Sequence, residues 1–181
     1  MAFRALSVGL GLALAAVGVM LGWGLIRDER RAKALPRARL AGEALAVVCL
    51  VWSAYHGSLM LEGGLAVYRK VLWAMVPVTA ILVYGHLDYL FARALGGLLV
   101  LTASQLIHGA FAAQVPGRVL YSLACYLVGL WGMSLMACPW WFRDLLLGAV
   151  RGASWRRPLA AVGLASGAVF VLWPWLSRQA S

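Results

Sequence analysis

A chain of 181 residues that is 64% hydrophobic and only 12% charged is far from a soluble domain, which averages about 45–50% apolar and about 25% charged. So few charges cannot cover so much apolar surface in water, and the surplus must face lipid or other apolar helices. The net charge of +10 does not read as a nucleic-acid surface, because the cations cluster at the ends of apolar runs, where they set topology and meet anionic headgroups.

The first apolar run, Leu6 to Ile26, is long enough to span a bilayer. It is too long for the apolar part of a secretory signal, and its positive charge follows rather than precedes it, so it is expected to stay as the first span. The most polar stretch comes next, with Arg27, Arg30, Arg31, Lys33, Arg37 and Arg39 against Asp28 and Glu29. Pro36 within it stops a helix from running through.

The second run is Leu40 to Leu61, ended by Glu62-Gly63-Gly64. The third, Val71 to Gly85, is short for a span. It reaches full length if Leu65 to Tyr68 joins the helix while Arg69 and Lys70 snorkel to the headgroups. Pro77 inside it predicts a kink. His86-Leu87-Asp88 makes a polar turn, and Asp88 is expected to cap the fourth run, Tyr89 to Ala113. Gln114-Val115-Pro116-Gly117 is a turn signal before the fifth run, Val119 to Ala137.

Pro139 then suits the first turn of a helix reaching to Gly152. On a 3.6-residue period, Trp141, Phe142, Leu145, Leu146 and Ala149 share one face, and Arg143, Asp144 and Arg151 the other. This pattern predicts an amphipathic helix in the membrane surface, with Trp140, Trp141, Arg143, Arg151, Arg156 and Arg157 at the interface. The sixth run is Pro158 to Leu176. The fold expected is therefore an all-α integral membrane protein, a six-span helical bundle with one interfacial amphipathic helix between spans five and six, forming a single domain.

The two strongly basic loops, 27–39 and 143–157, fall on the same side only if an even number of spans separates them, and four do. With that side cytoplasmic, eleven cations lie inside and five outside, the asymmetry expected of a plasma (inner) membrane protein with both termini on the non-cytoplasmic side. Gly18 and Gly22 form a GxxxG in the first span, and Gly163 and Gly167 one in the sixth. Small residues four apart let backbones approach closely in lipid.

Polar residues within the spans are few, and no acidic residue lies near mid-membrane, which argues against a proton relay or an ion-coupled transporter. His56 and His108, each followed by glycine, lie about 24 Å and about 28 Å into their spans from the basic side. Two imidazoles at similar depth are a candidate pair of axial ligands for a b-type haem, with the glycines making room for the macrocycle. His86, Asp88 and Arg93 cluster at the basic mouth of spans three and four, but capping and snorkelling account for them. The scattered, odd-numbered Cys49, Cys125 and Cys138 form no disulfide framework. No metalloprotease, phosphate-loop, paired-carboxylate or serine-nucleophile motif is present. The leading expectation is a non-enzymatic subunit or accessory factor that meets a protein partner or a second copy in the bilayer. A haem-binding electron-transfer anchor and a small-solute transporter or channel are the alternatives.

Overall fold

An isolated apolar segment satisfies all its backbone polar groups internally only as a helix, and every long element in the computed structural model is one. The structure describes residues 2–23, 35, 38–61, 63–86 and 89–176. The long helices are α1 (Ala2–Gly22), α2 (Arg39–Met60), α3 (Tyr68–His86), α4 (Leu90–Ala112), α5 (Arg118–Ala137), α6 (Pro139–Arg151) and α7 (Ala153–Leu176). A 3-10 turn, Gly63–Val67, precedes α3. Six helical stretches are long and apolar enough to cross a membrane, with α6 the exception.

The helices alternate in direction. α1 and α7 lie antiparallel, with Gly11 against Gly167 and Val171, and Gly18 against Ala160 to Leu164. α4 and α5 are likewise antiparallel, crossing at Gly96 and Gly132. α2 runs parallel to α4, with Gly42 against Phe91 and the Cys49 thiol donating to Ala94 O at 3.5 Å. α3 turns back along α2, where the Arg69 guanidinium donates to Ser58 O at 2.9 Å. The bundle is thus a row, α3–α2–α4–α5, with the α1–α7 pair laid across α4. Short α6 closes one end, touching α7, α5 and α4.

That end carries Arg39, Arg93, Arg143, Arg151, Arg156 and Arg157, and the chain leaves α1 and enters α2 there. Arg4, Arg69, Lys70 and Arg118 lie at the other end. Residues 27–34 of the basic loop, with Arg37, lie outside the described residues, as do Asp88 and the side chain of His86.

Two local details differ from the sequence expectations, and a third expectation, the Asp88 cap, lies outside the described residues. The residue before α4 is Tyr89, in the left-handed region at φ 58°, and it makes no side-chain cap. α7 starts at Ala153, so Trp155, Arg156 and Arg157 belong to its first turn and a half, and Pro158 sits inside the helix. Pro158 lies past the amides that a helix start leaves unbonded, since Arg156 N–H already donates to Gly152 O, so its missing N–H removes the bond that would reach Ser154 O. The third stretch of spanning length, Leu65–Val83, combines the end of the 3-10 turn with an α-helix, since the glycine pair that opens the turn disfavours continuous α-helix.

Candidate functional site

The most deeply buried polar cluster joins three helices at the end opposite α6. The Tyr121 hydroxyl on α5 donates to Ser7 Oγ on α1 at 2.8 Å, and Ser7 Oγ donates to Phe170 O on α7 at 2.6 Å. Tyr121 and Ser7 are both fully buried. The Tyr121 ring sits edge-on to Phe3 and to Phe170, with centroids 5.7 and 5.6 Å away, and lies 6.2 Å from Trp173. Cys125, one turn further along α5, is fully buried in the same core. The chain satisfies itself here: each hydroxyl finds a protein partner, as buried polar groups must. Three buried polar atoms, Arg93 Nε, Ser122 Oγ and Trp173 Nε1, have no partner among the described residues. They sit on different helices.

This cluster is absent from the sequence reading. Ser7 lies one turn inside the first span, where a serine is unremarkable, and tyrosine near a span end reads as an interfacial anchor. Only the meeting of α1, α5 and α7 turns the two into a clamp.

Glycine positions the helices for it. A Cβ on Gly18 would lie 2.9 Å from Ala160 O, and one on Gly163 would lie 3.0 Å from Gly18 Cα. A Cβ on Gly167 would meet Gly11 O at 2.7 Å. Gly22, at the end of the same stripe, is looser, with Ala160 Cβ at 3.5 Å. A second crossing, unmarked by any GxxxG spacing, is tighter: a Cβ on Gly96 would lie 2.5 Å from Gly132 O, and one on Gly132 would lie 2.6 Å from Gly96 O. Each helix supplies one glycine to that crossing, so no repeat within either helix could have shown it.

The two histidines stand in separate surroundings. His56 keeps company with Trp52 and Tyr55 on its own helix, at centroid distances of 6.4 and 5.4 Å. His108 is exposed, and its Nδ1–H donates to Ser104 O one turn back at 2.8 Å. The room beside their glycines is filled. A Cβ at Gly57 would stand 3.2 Å from Leu72, and one at Gly109 would stand 2.6 Å from the Phe3 ring. Among the described residues, no three histidines, cysteines or carboxylates converge as a metal-holding group.

The concave surfaces lie at the α6 end. A cavity of about 470 Å³ runs between α1, α5 and α7, with Phe142, Leu145 and Leu146 of α6 at one end. Its wall is apolar, including Val17, Leu127, Leu146, Val162 and Phe170. The one hydroxyl there, on Ser166, is turned back to Val162 O of its own helix. Beside it, a recess of about 400 Å³ is lined by Trp131, Trp141, Trp155, Asp144, Leu145 and Gly148. Trp131 and Leu145 line both. On α6, Leu146 and Ala149 are buried, whereas Trp140 and Trp141 are about half exposed. Arg143 pairs with Asp144 at 2.8 Å, a hydrogen bond that raises the guanidinium above its ordinary pKa.

No family model matches this chain, and no curated protein or solved structure matches it. The arrangement is a glycine-packed helical bundle with six helices apolar enough for membrane spans. Among the described residues, four of its side-chain hydrogen bonds join different helices, and others stay within one helix or its flanking turn.

Proposed function

We propose that the chain is a non-enzymatic subunit or accessory factor of a membrane assembly, inserted with six spans and contributing helix surface to a partner or a second copy. In this reading both termini are on the non-cytoplasmic side of the plasma membrane. The basic end, with α6 lying in the headgroup layer, faces the cytoplasm, as the distribution of arginine favours.

The observation that carries this reading is the position of α3. It packs on α2 and on the 3-10 turn before it, and among the described residues no other helix covers it appreciably. Trp73, Met75, Val78 and Ile81 are exposed along its length, Ile81 at 73%. Lipid tails cover such a surface as well as protein does. A helix held from one side, however, adds little to the fold of its own chain, and a docking element has that form. The hydrogen-bonded core at Tyr121, by contrast, is closed and internally satisfied, as a structural clamp would be.

The test is site-specific photo-crosslinking in intact membranes. A photoreactive residue at Ile81 or Met75 is expected to give a discrete protein adduct, hetero- or homomeric. The same probe at Leu172 on α7, whose side chain is also exposed, serves as the comparison. Lipid adducts alone at all three positions, with a monomer in mild detergent, would refute the proposal.

A further inference from the structure

We infer that the cavity bordered by α6 is a binding site for one anionic phospholipid, with an acyl chain in the apolar groove and its phosphate at Arg156. The inference rests on the membrane reading above, but not on the proposed protein partner.

Start with the groove's shape. Along α7 its wall extends from Leu159 to Phe170, about 17 Å at the helical rise of 1.5 Å per residue. One leaflet of a bilayer's hydrocarbon core is about 15 Å thick, so the groove is about one leaflet deep. At its inner limit Phe170 packs edge to face with Tyr121, and both belong to the hydrogen-bonded clamp, which bounds the groove there. With Ser166 bonded to its own helix, the walls offer a guest almost no polar contact. A hydrocarbon chain needs none.

The mouth is different. Arg156, Leu159, Gly163, Ser166 and Phe170 follow a 3-4-3-4 spacing, which places them on one face of α7. The last four line the cavity. Arg156 is therefore on the groove's own face, half-buried, and helical side chains lean toward the helix N-terminus, here the mouth. Arg157 follows it. Neither guanidinium has a carboxylate partner among the described residues, and Asp144, the one acidic residue between Cys138 and Pro158, is already engaged by Arg143. The neighbouring recess, with three tryptophans and a shared wall, suits the ester and glycerol region, where indoles prefer to sit. Positive mouth, amphipathic collar and apolar groove match in order the three zones of a phospholipid with net negative charge.

The experiment uses the full chain reconstituted into vesicles of equal parts phosphatidylglycerol and phosphatidylcholine. The vesicles are floated on a density gradient, then extracted in mild detergent for native mass spectrometry. The expected result is flotation with the vesicles and one retained lipid per chain. Phosphatidylglycerol should be preferred by about fivefold or more, the scale of one guanidinium near a charged surface. Arg156→Gln should remove most of that preference, while Arg4→Gln, at the far end, leaves it. Val162→Phe, which fills the groove, should lower retention of both lipids. Failure to float overturns the membrane reading and the site with it. Flotation with equal retention of the two lipids, a preference unchanged by Arg156→Gln, or retention unchanged by Val162→Phe overturns the site alone. So does a copurifying protein that protects the groove in place of lipid.

Discussion

Replacing Gly96 by alanine tests the packing argument most directly. The new Cβ would stand 2.5 Å from Gly132 O, whereas a relaxed carbon–oxygen contact lies at about 3.3 Å or more. The obstacle is backbone on a neighbouring helix, so it cannot rotate away. α4 and α5 must separate by roughly 0.8 Å, and a gap of that size forfeits about a quarter to a half of the dispersion attraction between the atoms that line it. Overpacking of this kind costs about 1–3 kcal/mol. Alanine also favours a helix interior over glycine by about 1 kcal/mol, which would mask part of the loss. Gly9→Ala separates the two effects, because Gly9 is also mid-helix and a Cβ there meets nothing within 4 Å. The difference between the variants is then the crossing itself, about 1–3 kcal/mol in favour of Gly9→Ala. In thermal unfolding followed by circular dichroism in detergent, Gly96→Ala should melt roughly 3–9 °C below Gly9→Ala. Gly132→Ala should behave alike. The double variant should fall well short of additive, because one separation of the helices accommodates both methyl groups. A Gly96→Ala protein that melts at or above Gly9→Ala would refute the reasoning.

Two further outcomes follow from the clamp and its cover. Tyr121→Phe and Ser7→Ala, combined in a double-mutant cycle, should show a coupling of about 0.6–1.5 kcal/mol, the range for one interhelical hydrogen bond in an apolar surrounding; a coupling of zero would mean that the hydroxyls do not meet. Gly117 sits at φ +69°, and a Cβ there would lie 2.8 Å from the Trp173 indole. Gly117→Ala should therefore cost about 2–3 kcal/mol from left-handed strain plus steric displacement. A shift in tryptophan emission should accompany the loss, and a neutral substitution with unchanged fluorescence would contradict both causes.

The sequence by itself determined that this chain makes apolar helices of spanning length, because a run of about twenty apolar residues leaves the backbone no other way to satisfy its polar groups away from water. It placed the ends of the apolar runs but not of the helices themselves, since Arg156, Arg157 and Pro158 lie inside α7 and Arg69, Lys70 and Pro77 inside α3. Partner choice was another matter. Gly18 and Gly163 announce close approach by their spacing, yet nothing in either span says that the first helix meets the last. Gly96 and Gly132 announce nothing at all, and their contact exists only because α4 and α5 cross there. Ser7 and Tyr121, 114 residues apart, become one hydrogen-bonded unit by the same kind of accident of docking. Likewise, His56 and His108 match in depth, but depth along a helix is local, and the direction in which each ring faces is set by neighbours. Periodicity reports one helix at a time, and the energy that selects which helices touch comes from atoms on two or three at once. The tertiary structure alone could therefore decide the α1–α7 pairing, the clamp and the groove above α6.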